Sequence, residues 1–187
     1  MQTHPLEFDD ASENELNIIF SHLASSFGLQ RSCIPEDWRI LVVRNSRREA
    51  YAVSKSVYSL FDQIRSKRMP YSLGLFIGIL RKRGGGFDVS LEFLSWLRQR
   101  GFVERAITLT DEGEQHALYG RDVLKSSIAS FPQDLDRGDM LPLVNGRGEV
   151  LALGKALCDN SGMQEAEPRQ RVVKNMRDKG WYLRRGG

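Results

Sequence analysis

From Arg169 to the end of the chain stand seven cations, Arg169, Arg171, Lys174, Arg177, Lys179, Arg184 and Arg185, against one anion, Asp178. Side chains of this kind displace counterions from phosphates, and arginine adds paired hydrogen bonds or stacking on bases. The chemistry on offer is recognition of a nucleic-acid backbone; the plain alternative is a solvated charged surface. The whole 187-residue chain carries a formal charge of only +3, with a pI near 9.0. The remainder is therefore close to neutral, and the signal lies in the asymmetry. A second basic stretch, Arg81-Lys82-Arg83-Gly84-Gly85-Gly86, reads either as a solvated hairpin tip or as a loop presenting cations and backbone amides to phosphate. No Gly-Lys-Ser/Thr follows its glycines, so it is not a P-loop. Trp181 and Tyr182 are able to stack on bases, but their setting among polar residues favours a strand with its aromatics in the core.

Residues for bond-making chemistry do not assemble in the sequence. His4, His22 and His116 are scattered, and there is no G-x-S-x-G, no H-E-x-x-H and no dinucleotide glycine fingerprint. Asp134, Asp136 and Asp139 lack the glycine and terminal glutamate of a calcium loop and read as a turn cluster. Cys33 and Cys158 lie far apart, which argues against a zinc site and a disulfide framework. The expectation is a protein that is not an enzyme and uses no metal and no cofactor. No apolar run is long enough to span a bilayer, and Met1–Asp10 has neither the basic start nor the apolar core of a signal peptide. The default compartment is cytoplasmic.

Several elements must hold these cations in place. Ser12-Glu13-Asn14-Glu15 is a capping box, and Leu16, Ile19, Phe20, Leu23 and Phe27 follow at helical spacing up to Gly28. A strand over 38–43, a turn over 44–49 and a strand over 50–53 lead to Ser54, which caps a helix over 55–67 with a broad buried stripe of Val57, Tyr58, Leu60, Phe61 and Ile64. Residues 72–80 form a buried strand in which Gly74 and Gly78 mark close backbone approach. A short helix around Leu91–Leu97, capped by Ser90 or Asp88, ends at Gly101. A strand lies within 102–109, and 112–127 is expected to be helical, interrupted at Gly120. Gly138-Asp139 opens a hairpin whose reversal is Asn145-Gly146-Arg147-Gly148 and whose second strand ends at Gly154. Residues 159–168 read as loop, and Val172-Val173 and Trp181-Tyr182-Leu183 as two short strands around an Asp178-Lys179-Gly180 turn.

The order of these pieces from Tyr119 to Leu157 resembles the PUA domain, the RNA-binding module of pseudouridine synthases and archaeosine transglycosylases. The Gly138-Asp139 entry, the glycine-containing hairpin and the closing Gly154-Lys155-Ala156-Leu157 carry the resemblance. Pro142 departs from it and, lacking a ladder donor, implies an edge strand or a bulge. More broadly, the chain resembles an archaeal member of the Nip-seven family, which in eukaryotes acts in large-ribosomal-subunit biogenesis. That resemblance rests on Tyr51-Ala52-Val53-Ser54-Lys55, on Ser72-Leu73-Gly74-Leu75-Phe76-Ile77-Gly78, and on Leu118-Tyr119-Gly120 followed by Val123-Leu124-Lys125-Ser126.

The resemblance implies an α+β chain. An N-terminal α/β domain with a mainly antiparallel sheet over 1–104 would precede a small PUA-like β-barrel with short helices over 105–187. It further implies non-enzymatic RNA binding in ribosomal RNA processing or RNA turnover, with ribosome-assembly or exosome proteins as partners. Carried over by position, the RNA surface comprises Arg121 and Lys125 from the first helical region, and Lys174, Arg177, Lys179, Arg184 and Arg185 from the final strand region. Two other readings stay open: a subunit of an RNA-modifying enzyme, and a protein-interaction scaffold without RNA binding.

Overall fold

The computed structural model describes residues 7–44, 47–82, 85–181 and 184. It divides into two compact units, Met1–Phe93 and Leu94–Gly187, the division falling within the helix Leu91–Gln99, ahead of the boundary expected at 104/105. Among the described residues no helix is long and apolar enough to cross a membrane.

The first unit is built on strands β1 (Phe8–Asp10), β2 (Arg39–Arg44), β3 (Arg48–Val53), β4 (Leu75–Leu80) and β5 (Phe87–Val89), antiparallel in that spatial order. Helix α1 (Glu13–Phe27) starts at the capping box: the Ser12 amide donates to Glu15 Oε2 at 2.8 Å, and the Glu15 amide donates back to Ser12 Oγ at 3.4 Å. It stops at Gly28, whose φ of 66° lies in the left-handed region. Glu15 is only 2% exposed. Burial opposes its charge, but Arg48 (2.6 Å), the Ser12 amide and hydroxyl, and Arg44 (2.9 Å) outweigh that and hold its carboxyl at about 2.

Side chains of the sheet alternate between two covered faces. Leu41, Val43, Tyr51 and Val53 pack with Phe61 of α2 (Lys55–Ile64), while Val42, Ala50 and Ala52 are buried on the other side. Helix α1 packs on β4 and β5. His22 is half-buried and edge-on to Phe27 and Phe87, and burial lowers its pKa, as suits a histidine packed at the edge of the core. The two glycines of β4 and its approach meet the close contact expected: a Cβ would lie 2.5 Å from the Ala52 carbonyl oxygen at Gly74, and 2.3 Å from that of Asp88 at Gly78. Two expectations need correcting. Helix α2 ends at Ile64 rather than 67, and of its apolar residues only Phe61 is buried; Tyr58 is half-buried, and Val57, Leu60 and Ile64 are exposed. The helix meets its sheet along one narrow line, so helical spacing alone overstated the burial.

The second unit contains the remainder of helix α3 (Leu91–Gln99), strand β6 (Ile107–Leu109), helix α4 (Asp111–Leu118), strands β7 (Val123–Leu124), β8 (Ile128–Ser130), β9 (Met140–Val144) and β10 (Val150–Ala156), helix α5 (Asn160–Glu165) and strand β11 (Arg171–Asp178). Its six strands form a nearly closed, barrel-like sheet in the order β7-β11-β10-β9-β6-β8, antiparallel except for β6 beside β9. Ile107, Leu141, Leu143, Ala152, Val172 and Val173 fill its core. Gly154 is required there because a Cβ would lie 2.6 Å from Val173 and 2.8 Å from Leu143.

Four readings of this unit change. The helix expected over 112–127 ends at Leu118, where Gly120 (φ 74°) turns the chain into β7 and a 3-10 turn, Lys125–Ser127. Residues 159–168 contain α5, capped by Asp159 and anchored by buried Met163; one apolar contact leaves no periodicity to read. The two final strands are one longer strand, β11, after which Trp181 and Arg184 are helical, while Tyr182 and Leu183 lie outside the described residues. Pro142 is on neither an edge strand nor a terminal one, since β9 lies between β10 and β6; β6 pairs only with Leu143 and Val144, so Pro142 stands beyond the end of that ladder.

Candidate nucleic-acid interface

Strand register decides which cations meet. In β11, Lys174 lies directly opposite Lys155 of β10, and both side chains are exposed. Like charges at directly opposed positions repel, so this arrangement costs stability unless an anion sits between them. Lys155 opposes Met140 of β9 on its other side, and its stem passes over Gly138, 3.9 Å from where a Cβ would stand. Arg137, next to Gly138, is exposed. Burial raises the Cys158 thiol and Asp159 adds to that, while Lys125 and Arg137 both act on it in the opposite sense. Lys155 thus stands opposite Lys174 and passes over Gly138, while Lys125 and Arg137 both act on Cys158, just past the end of β10. None forms an ion pair with a carboxylate among the described residues. Lys125 also places Nζ 4.7 Å from the Phe131 ring centroid, a cation–π contact that fixes its stem.

The other sequence-predicted cations are held differently. Arg184 forks onto Asp178, which is 7% exposed, through hydrogen bonds of 2.9 and 2.8 Å, and also donates to the Leu118 carbonyl. Asp178 hydrogen-bonds and charge keep the guanidinium protonated even more firmly than usual. Gly120 and Gly180 make room for this docking: a Cβ on Gly180 would lie 1.9 Å from the Leu118 oxygen, and one on Gly120 would lie 2.8 Å from Arg184. Leu118-Tyr119-Gly120 is therefore a packing motif in this fold. Arg121 is exposed on the loop that follows. Asn175 Nδ2 donates to the Ala117 and Arg121 carbonyls at 2.8 and 3.2 Å, and the Asn175 amide donates to Asp122 at 3.0 Å. The Asn175 side chain thus holds the backbone of Arg121 beside β11. Arg171 pairs with Asp122 at 3.3 Å.

Arg177 is half-buried opposite Leu153, beyond a bulge in β11's pairing with β10. Lys179 donates to Ser95 Oγ at 3.2 Å and lines a cavity of about 780 Å3 with Arg98, Arg147 and Glu149. Arg98 is occupied there by the carbonyls of Val103, Glu104 and Gly148. Asn145 and then Arg147 hold the Glu149 carboxyl below its ordinary range. Arg185 and Arg83 fall outside the described residues. Asp134 and Asp139 are both bound by Arg105, at 3.2 and 2.6 Å, in line with a satisfied turn cluster. Lys155 and Arg137 escaped sequence reasoning because both lie outside the C-terminal basic run; the signal available was Lys155's place in the Gly-Lys-Ala-Leu strand.

Residues 105–187 match the family described as the UPF0113 PUA domain. A UPF0113 protein from Aeropyrum pernix is 36% identical over 124 residues, covering 65% of this chain and 63% of that protein, so the match spans less than two thirds of the relative's length. Among solved structures, a hypothetical protein from Pyrococcus horikoshii superposes with a TM-score of 0.63 at 19% identity, over 95% of this chain and 99% of that one. A conserved PUA domain protein from Thermoplasma acidophilum gives a TM-score of 0.62 at 17% identity, over 95% and 97%. At these identities the likeness establishes the fold.

Proposed function

We propose that this chain is a non-enzymatic RNA-binding adaptor that holds the phosphate backbone on residues 105–187. The observation that carries this reading is the Lys155–Lys174 pair, two exposed like charges set opposite each other with Lys125 and Arg137 alongside. A phosphate between them turns a repulsive register into an attractive one. The match of this segment to a PUA domain family supports RNA as the source of that phosphate. In this reading Arg184 is an anchor for the end of β11, while Arg121, Arg177 and Lys179 extend contact beyond the lysine pair. The resemblance of the Tyr51–Lys55 and Leu118–Ser126 segments to the Nip-seven family supports a cytoplasmic role in ribosome biogenesis, ribosomal RNA processing or exosome-linked turnover.

The test is binding of single-stranded and structured RNA to the intact chain, titrated against salt, followed by mass analysis of the recovered RNA. The expected result is affinity that falls steeply with salt and RNA of unchanged mass. Salt-insensitive binding, or no binding, overturns the backbone reading; a mass change overturns the non-enzymatic one.

A further inference from the structure

The ring of Tyr119 has no structural task. Tyr119 is the C-cap of α4, with φ at −80°, a backbone setting that needs no special residue. Its side chain is 66% exposed, and among the described residues it makes no hydrogen bond and no ring contact. Its root is nonetheless fixed. The Gly120 amide donates to the Ala117 carbonyl at 2.9 Å and the Arg121 amide to that of His116 at 3.1 Å, the paired bonds of a Schellman cap, while the Tyr119 amide donates to the Gln115 carbonyl at 3.0 Å. These bonds belong to α4 and its own turn. Asn175, the residue after Lys174, holds the Ala117 and Arg121 carbonyls on either side, which ties the loop of the ring to the strand of the lysine pair. A tyrosine rooted in this way offers contact area at little cost in conformational entropy.

The surroundings suit an anion. Asp122 is taken by Arg171 and the Asn175 amide, and Asp178 by Arg184. The last carbonyls of α4 are taken as well, those of Gln115, His116 and Ala117 by the amides above and that of Leu118 by Arg184. None of these groups is left bare to repel a phosphate. Arg121 and Lys174 stay exposed, without an ion pair among the described residues. Tyrosine and arginine also mark protein interfaces, but a protein here would have to bring an acidic surface. A base joined to phosphate supplies both the flat face and the charge. We propose that Tyr119 stacks on an unpaired base of the RNA whose backbone lies on Lys155 and Lys174, so that the RNA is taken as a single strand. A base inside a duplex has both faces covered by its neighbours and is closed to the ring. This inference rests on the phosphate reading and adds the form of RNA that the site accepts.

The test uses the intact chain with ring-labelled tyrosine, the Tyr119 signal being identified by its loss in Tyr119→Phe. The probes are oligoadenylate, an abasic oligomer of equal length and a blunt RNA duplex. The expected result is an upfield shift of the Tyr119 ring signal with oligoadenylate alone. Tyr119→Ala should weaken oligoadenylate binding at least about fivefold and leave the abasic and duplex affinities within about twofold, while Tyr119→Phe restores it. Because the side chain is exposed, circular dichroism should show both variants folded. Binding of none of the three probes by the wild type overturns the phosphate reading and the base site with it. Oligoadenylate bound with the Tyr119 signal unmoved, or an equal loss for the abasic oligomer in Tyr119→Ala, overturns the base site alone. Ring shifts given equally by adenosine monophosphate, or by a glutamate-rich peptide in place of oligoadenylate, overturn it in favour of a free nucleotide or an acidic protein.

Discussion

At the start of α1, Arg44 and Arg48 converge on a buried carboxylate, Glu15; across β10 and β11, Lys155 faces Lys174 with no carboxylate between them. Both regions are rich in cations, and they differ in what the fold sets opposite the charge. In the first, the arginines satisfy a group that burial would otherwise neutralise, so their charge is consumed in holding the structure together. In the second, the backbone register imposes a repulsion that no carboxylate among the described residues relieves by an ion pair. Arg184 belongs with the first kind although it lies in the same basic run as Lys174, because Asp178 takes both arms of its guanidinium. Counting charges along the sequence does not separate these two classes; knowing what stands opposite each one does.

The comparison is most strongly tested where a structural cation docks. Gly180→Ala drives a Cβ into the Leu118 carbonyl and displaces the Arg184–Asp178 fork. It should cost about 2–3 kcal/mol, read by urea unfolding, while RNA affinity of the protein that remains folded stays within about twofold. A large loss of affinity at full stability would place Arg184's surroundings in the RNA site. Next comes acid unfolding. The folded-state pKa of Glu15 is depressed from 4.5 to about 2. Its stabilising contribution is therefore fully present above about 4.5 and is lost as pH falls toward about 2. Glu15→Gln should lower stability at neutral pH and flatten the pH dependence across that window. An unchanged acid slope would show that the two arginines do not hold the charge.

The lysine pair should respond in the reverse sense. Lys174→Glu places opposite charges across the ladder, so stability should rise by about 0.2–1 kcal/mol even as RNA affinity falls several-fold. Denaturation and binding measured on the same preparation check this; stability and affinity falling together would mean that Lys174 is a structural residue. The smallest effect is expected of Arg121→Gln. Loss of a single phosphate contact should weaken binding about uniformly across RNA sequences and lower the salt slope by about one.

Helix α1 was legible because the capping box, the apolar spacing and Gly28 all specify the same boundaries. The hairpin from Met140 to Ala156 was legible through its turn glycines, and Gly74 and Gly78 correctly announced close backbone approach. The failures share a physical cause. The uncovered face of α2, the short β7 and β8, and α5 with its one buried methionine are fixed by tertiary contacts that leave little periodic pattern. In the candidate interface, Lys174 was legible from the basic run. Lys155 and Arg137 were not, since their place depends on strand register and a loop 18 residues away from Lys155 in sequence at most.

The central claim is that Lys155 and Lys174 together hold one stretch of RNA backbone. Its most direct measurement is RNA affinity of the intact chain against salt, for the wild type and for Lys155→Glu/Lys174→Glu. A loss of at least about tenfold, with the salt slope reduced by about two and the variant folded, is the predicted result. Affinity and slope unchanged in a folded variant would contradict it.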